Sequence, residues 1–432
     1  MAVSDKPQRQ DLDKCVHCGL CLNSCPTYRE LGIEMDSPRG RIYQMNQVSL
    51  GLAEIGPSYI EHMELCLACR GCESACPSGV QYGKLIEAAR AEIEEKVPRP
   101  WSVELVRNIV FRHLLPSRTN LRLAAAGLWV YQKTGLQKLV RATGLLGMFG
   151  QLGKLEQLSP DAEFPTFFSE YGKTFPAEGG QRYRVAMLGG CMANVSFARL
   201  HEATVRVLQK NGCEVVVPSD QTCCGALHAH AGRRDDARGL ARQNIAALLK
   251  GNFDAIITNT SGCGSMLKEY HDLFEHDPAM SGPAQKFSHL VKDINEFLAS
   301  IELNQQLGPI NKTITYQDSC HLAHGQKIKA PPRKLLRLIP GLTLKEMALS
   351  DVCCGSAGIY NVVQNEMSMA VLAKKMENVN RSGADVIVTA NPGCIIQLRA
   401  GASMHGTGQP VKHVVEMLDE SYASYRSGGG PA

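Results

Sequence analysis

The chain has little of what ties a protein to a membrane span, an export route or a nucleic acid. Its longest central apolar run, Leu123–Tyr131, covers nine residues, about half of the roughly twenty that a bilayer-crossing helix needs. Met1–Asp13 is polar and charged, without the apolar stretch of a secretory signal. The net charge is +4, from 46 basic and 42 acidic residues, too mild to argue for nucleic acid as a partner. No P-loop is present. Neither Gly189-Gly190 nor Gly355-x-x-Gly358 makes a dinucleotide fingerprint, so the chain shows no flavin or nicotinamide motif of its own. Together these absences predict a folded cytoplasmic protein.

What the sequence does have is cysteine. Seventeen occur in 432 residues, an odd number that cannot pair completely. In a reducing compartment such a count points to metal or redox chemistry. Eight fall into two copies of one motif, C-x2-C-x2-C-x3-C-P: Cys15, Cys18, Cys21, Cys25 with Pro26, and Cys66, Cys69, Cys72, Cys76 with Pro77. Two-residue gaps let one short loop turn three thiolates toward one face of a cubane. The fourth cysteine, beyond the turn, serves the other cluster. The expected ligands of cluster one are Cys15, Cys18, Cys21 and Cys76, and those of cluster two are Cys66, Cys69, Cys72 and Cys25. All-thiolate tetrads suit [4Fe–4S] rather than a zinc ribbon. In the 40-residue insert Pro26–Leu65, Ser37 and Pro38 read as the N-cap and first residue of a helix. Arg39 and Arg41 in its first turn run against the helix dipole, either facing the anionic clusters or solvent. His17 and Arg70 lie inside the motif loops.

The other long feature is a repeat. In copy one, 31 residues separate Cys191 from Cys223-Cys224-Gly225, and 38 separate Cys224 from Cys263; in copy two, the gaps from Cys320 to Cys353-Cys354-Gly355 and from Cys354 to Cys394 are 32 and 39. Short apolar runs (Val185–Leu188, Val215–Val217, Ala255–Thr258, then Thr313–Tyr316, Leu342–Leu344, Asp385–Thr389) alternate with helical patterns such as Ala198–Lys210 and Glu366–Asn380. That alternation predicts parallel α/β units, with the cysteines at or beyond the carboxyl ends of strands, where open sheets bind ligands. Each copy thus brings four thiols toward one point. Cys213, with no counterpart in copy two, reads as structural. His228 and His230 follow the first CCG and His321 and His324 follow Cys320, either as ordinary packed histidines or as groups that tune a cluster or relay protons.

These tandem arrays resemble the cysteine-rich CCG domains of heterodisulfide reductase. Joined to a two-cluster ferredoxin module, they resemble the iron–sulfur subunit of glycolate oxidase, over about 20–96 and 181–420. The implied fold is α+β and multidomain: an α-helical ferredoxin-like two-cluster domain at 1–97, a basic helical connector at 98–180, and α/β CCG repeats at 181–310 and 311–432. The resemblance implies an electron-transfer subunit of an oxidoreductase complex, not catalytic alone. It would take electrons from FAD-containing subunits that oxidise glycolate to glyoxylate and pass them to membrane quinone. Iron–sulfur subunits of anaerobic glycerol-3-phosphate or lactate dehydrogenases share the architecture, and a heterodisulfide-reductase-like catalyst is the remaining alternative. The C-x-x-C that ends the heterodisulfide reductase domain is absent, since Cys263-x-x-Met266 and Cys394-x-x-Gln397 stand there. That departure speaks against disulfide reduction, while Cys320, Cys353, Cys354 and Cys394, or Cys191, Cys223, Cys224 and Cys263, still offer a third cluster site.

Residues 99–158 carry nine Lys or Arg against two acids, and both tryptophans, Trp101 and Trp129. Leu105, Ile109, Leu121 and Leu128 add apolar faces at helical spacing. Such a segment suits either a membrane surface or packing on its own domains. The first of these expectations places the protein peripherally on the cytoplasmic face of the inner membrane.

Overall fold

The structure is a computed structural model that describes residues 5–143, 156, 159–405 and 408–426. Lys154 of the basic segment and the Gly-rich tail from Ser427 lie outside the described residues. In the N-terminal part, Ser37 caps helix α1 (Pro38–Ser49) by accepting from the Gly40 amide at 3.0 Å, with Pro38 at its first position. Helix α2 (Tyr82–Lys96) closes this part, burying Leu85, Ile86, Ala89 and Ile93 against Ile42, Met45, Tyr59 and Met63. The connector follows as α3 (Trp101–Asn108), α4 (Arg118–Lys133) and α5 (Leu136–Thr143).

Each cysteine repeat builds one sheet. The first contains β1 (Thr174–Phe175), β2 (Tyr183–Met187), β3 (Cys213–Val216), β4 (Ala255–Thr258) and β5 (Val291–Asp293), in the order β1-β3-β2-β4-β5. The second contains β6 (Lys312–Tyr316), β7 (Leu342–Leu344), β8 (Val386–Thr389) and β9 (Val411–His413), in the order β7-β6-β8-β9. Both sheets are parallel apart from β1, an antiparallel edge drawn from the stretch before the first repeat. The shared order β3-β2-β4-β5 and β7-β6-β8-β9 makes the two copies topological equivalents.

The strands are apolar on both faces, as parallel strands covered on two sides must be. Along β2, Val185 and Met187 face the core shared with the second repeat, while Ala186, and Leu188 just beyond the strand, face an outer layer with Tyr270 and Phe287. Helix α6 (Ala198–Lys210) shows the matching period. Its Leu200, Ala203, Val207 and Leu208 are buried, and it packs on the C-terminal helix Val414–Arg426 of the other repeat. The covering helices of the two halves are α7 (Arg234–Leu248) with α8 (Ser261–Lys268), and α9 (Asn365–Ser382) with α10 (Pro392–Met404).

Candidate functional site

The two ferredoxin motifs share a backbone device. In each loop the residue before the second cysteine and the residue after it have positive φ: His17 (54°) and Gly19 (85°) in the first, Ala68 (51°) and Arg70 (62°) in the second. Three of the four are not glycine, and left-handed backbone in such residues is held only where the surroundings demand it. The turn aims the Ala68 amide at Cys66 Sγ, 3.3 Å away. Gly19 has a further constraint, because a Cβ there would sit 2.8 Å from Arg39 Nη1.

The sulfurs fall into two groups across the motifs. Cys15 lies within electrostatic reach of Cys18 and Cys76, and Cys21 within reach of Cys15 and Cys25. Cys69 and Cys72 each sense Cys66 and Cys25. A cavity of about 20 Å³ is lined by Cys25, Cys66, Cys69 and Cys72, together with Thr27, Arg41 and Tyr82. Cys25 thus lines the cavity of motif two while also lying within reach of Cys21, and Cys76 lies within reach of Cys15. Burial pushes the Cys21 thiol up to about 11 and those of Cys69 and Cys72 well above the ordinary thiol value. Such thiols ionise only when a cationic centre binds them. Among the described residues no three His, Cys, Asp or Glu side chains converge on a single-ion site. A set of only thiols around a shared cavity fits an iron–sulfur cluster, and such a cluster, when bound, supplies one-electron transfer.

Arg41 is fully buried beside the second group. Its guanidinium donates to Thr27 Oγ1 (3.1 Å), Asp36 Oδ1 (3.2 Å) and the His62 carbonyl (2.6 Å), and it is felt by Cys66 and Cys25. Of the two arginines expected to face clusters or solvent, Arg41 thus faces the second cavity. Arg39 lies over the first loop, donating to the His17 carbonyl at 2.9 Å, but is partly exposed and paired with Glu34.

The CCG cysteines gather as the repeat predicts. In the first copy Cys191 and Cys223 sulfurs are 3.5 Å apart and those of Cys224 and Cys263 are 3.1 Å apart. In the second, Cys320 contacts Cys353, Cys353 contacts Cys354, and Cys354 contacts Cys394. Contact with its neighbour, then burial, holds Cys394 well above the ordinary thiol value. The lids of the two quartets differ. Over the first lies the connector, with Phe111, Leu115, Leu121 and Ala125 packed on Cys191 and Cys223. Over the second lies the ferredoxin loop: Leu67 and Cys69 pack with Cys353, Cys320 and Tyr360.

All four histidines near these loops bind across the domain seams. His228 donates to the Phe111 carbonyl (2.7 Å) and His230 to Glu87 (2.8 Å). His321 stacks on His230 with ring centroids 5.2 Å apart, and His324 accepts from Ser74 and donates to the Asp351 carbonyl. Arg70, read from sequence only as a loop residue, bridges Glu73 of its own motif to Glu269 of the first repeat. Burial lifts Glu269 to about 7 against the pull of Arg70. Burial alone would raise Glu87, yet His230 and Arg234 hold it down at about 2. Sequence reasoning missed Glu87, Glu269 and Asp5, which pairs with Arg234 and Arg238. Cys213 is buried at the start of β3, and burial raises it to about 12.

The outer side of the connector is exposed at Trp101, Leu105, Ile109, Leu123, Val130 and Leu139. Several of its cations are committed inward. Arg107 binds Glu94 (2.8 Å) and Arg118 donates to the Ser219 and Gln221 carbonyls, while Arg112 stays largely exposed beside Asp236 (3.4 Å). Arg122, Lys133 and Lys138 are exposed. No helix among the described residues is long and apolar enough to cross a membrane.

Comparison with known proteins agrees with this architecture. A 4Fe-4S dicluster domain matches residues 11–80, the linker region of glycolate oxidase iron-sulfur subunits matches 102–159, and the cysteine-rich CCG domain matches twice, at 185–268 and 314–399. The probable glycolate oxidase iron-sulfur subunit of Bacillus subtilis is 40% identical over 95% of this chain and 94% of its own length. The glycolate oxidase iron-sulfur subunit of Escherichia coli is 32% identical over the same shares. A fumarate reductase (CoM/CoB) subunit from Methanothermobacter marburgensis is 28% identical over 97% of this chain and 74% of its own. With its dicluster loops, linker and paired CCG quartets in this order, the chain belongs to the family of glycolate oxidase iron–sulfur subunits.

Proposed function

We propose that this chain is the electron conduit of a glycolate-oxidising complex. FAD-containing partner subunits take two electrons and two protons from glycolate, giving glyoxylate, and release the electrons singly to this chain. Cys15, Cys18, Cys21 and Cys76 hold the first [4Fe–4S] cluster, and Cys66, Cys69, Cys72 and Cys25 hold the second. The observation that carries the reading is the placement of the two sulfur groups. Cys18 of the first is exposed, open to a donor, whereas Cys25, Cys66 and Cys72 of the second are buried and its half-buried Cys69 abuts Cys353 of the second repeat. The chain's own residues hold thiolates, exclude water around the second cavity and keep Arg41 beside it. The acceptor is a membrane quinone, reached by peripheral contact with the cytoplasmic face of the inner membrane. The exposed apolar side of the connector, with Arg122, Lys133 and Lys138, supports that contact through apolar burial and attraction to anionic lipid. The test is affinity purification of the tagged chain under anaerobic conditions. Flavin-bearing partners and glycolate-dependent dye reduction should copurify, and neither should be found with the chain alone. Glycolate turnover by the isolated chain, or partners without flavin, would overturn the reading.

A further inference from the structure

The two quartets sit in equivalent frames, which permits a residue-by-residue comparison. Gly225 and Gly355 both have left-handed backbone, at φ 81° and 93°, and a Cβ on them would meet Ala237 of α7 and Ser368 of α9 respectively. Two helical turns further along, α7 presents Asn244 and α9 presents Lys375. By the same alignment Gly190 matches Ser319, and Thr260 matches Asn391.

These exchanges all run in one direction. In the second repeat Lys375 is 3% exposed, and its ammonium donates to the carbonyls of Leu349 and Ser350 and lies within electrostatic reach of Cys354 and Cys353. Asn391 donates to Cys394 Sγ at 3.4 Å, and the Ser319 hydroxyl also bonds Cys394; the glycine amide after the CC pair serves both quartets alike, Gly355 on Cys353 and Gly225 on Cys223. In the first repeat Asn244 is neutral, and its amide is used by Thr222, the Cys223 carbonyl and Tyr270. Thr260 turns to Asn259, and Gly190 has no side chain. The first quartet is roofed by Phe111, Leu115 and Leu121, and the guanidinium of Arg118 on that side is spent on the Ser219 and Gln221 carbonyls. A cubane with four thiolates is an anion. Burying one is unfavourable unless a cation and hydrogen-bond donors compensate it.

We propose that the second repeat, and not the first, binds a third iron–sulfur cluster through Cys320, Cys353, Cys354 and Cys394, and that Lys375 is the charge-compensating residue that selects it. On binding, each thiol loses its proton and four Fe–S bonds form, with no electron exchanged. The site then lies against the second ferredoxin group, because Cys69 senses both Cys353 and Cys320. One electron crossing that seam leaves one centre oxidised by one and the other reduced by one. The proposal rests on the two-cluster reading of the ferredoxin module.

The experiment is iron determination and EPR on the anaerobically purified full chain. Wild type should hold about 12 iron atoms, and Cys353→Ala and Lys375→Met about 8 each. Cys223→Ser should stay near 12. Reduced wild type should show a broadened signal from the second ferredoxin cluster that sharpens in both repeat-two variants, and the persisting ferredoxin signals report that each variant is folded. Retention of 12 in Lys375→Met, or equal loss in Cys223→Ser and Cys353→Ala, would overturn the proposal. A wild-type content near 8 that falls in Cys66→Ala but not in Cys353→Ala would overturn it while sparing the two-cluster reading. Loss in Cys353→Ala but not in Cys66→Ala would overturn that underlying reading instead.

Discussion

Tyr360 donates its hydroxyl to the Leu65 carbonyl at 2.8 Å, one residue before Cys66. This bond ties the entry of the second ferredoxin loop to the second CCG repeat. Arg90 reinforces the same loop from α2, donating to the carbonyls of Met63 and Cys66. The loop that carries the second sulfur group is thus fixed on both sides, while the first group keeps an exposed edge at Val16 and Leu20.

Ligand crossing predicts a pattern of shared spectral damage. Cys25→Ala should perturb the same EPR signal as Cys66→Ala, and Cys76→Ala the same signal as Cys15→Ala. Cys25→Ala and Cys15→Ala acting on one signal would contradict the assignment.

Arg41 should set the relative potentials of the two ferredoxin clusters. Its buried positive charge favours the reduced, more negative state of the cluster beside it, where low dielectric leaves the interaction poorly screened. Arg39, its counterpart at the first loop, is screened by solvent and by Glu34. Arg41→Gln should therefore lower the potential of the second cluster, and Asp36→Asn should raise it. A tenfold change in the one-electron equilibrium corresponds to about 59 mV. Shifts of the same sign in both variants would point to structural damage rather than charge. Arg41→Gln also leaves His62, at 2.9 Å, as the remaining side-chain partner of Asp36, so some stability is lost as well.

Stability of the repeats should fall with acid through His201 and His413. Both are fully buried, and burial lowers each to about 4 from the ordinary 6.5. His201 donates to the Gly189 carbonyl and accepts from Asn259, so its neutral form is the one that fits. Between pH 6.5 and 4 the unfolded chain takes up protons that the folded chain refuses. Stability is therefore fully present above pH 6.5 and declines as pH falls, by about 1.4 kcal/mol per pH unit for each histidine. Urea midpoints at pH 7, 6 and 5 check this. Burial also lowers His228, His321 and His324, so replacing His413 with Gln should remove only its own share of the slope, and an unchanged slope would remove His413 from the account.

On the connector, the residues that test membrane contact are Arg122, Lys133 and Lys138, because Arg107 and Arg118 hold the connector to the rest of the protein and Arg112 is paired with Asp236. Changing the exposed three to Gln should weaken binding to anionic vesicles by about 1 kcal/mol per residue, and high salt should reproduce the loss. Wild-type retention of the triple variant would place any membrane contact elsewhere.

The cysteine motifs and the repeat were legible because their information is local spacing, and the strand runs around Val185, Ile256, Ile314 and Ile387 because parallel strands are apolar throughout. Three of the four edge strands were not. β1 has two residues, and β5 (Val-Lys-Asp) and β9 (Val-Lys-His) have three with one apolar side chain each, whereas the equally short β7 showed as Leu342–Leu344. Nor were the seams, because Arg70 and Glu269 lie 199 positions apart and Ser74 and His324 lie 250 apart, and pairings at that range leave no pattern in either segment. The connector was legible by half. Its apolar spacing named Leu105, Ile109 and Leu121 alike, yet Leu121 is buried over Cys223 and the other two face outward.

The most direct test mixes the assembled complex with glycolate and follows this chain's clusters by rapid-freeze EPR. The account predicts that [4Fe–4S]⁺ signals assigned to this chain appear within turnover and require the flavin partners. It further predicts that Cys66→Ala leaves flavin reduction by glycolate intact while blocking electron delivery to quinone. Quinone reduction at the wild-type rate in Cys66→Ala, or clusters that stay oxidised while glyoxylate accumulates, would contradict it.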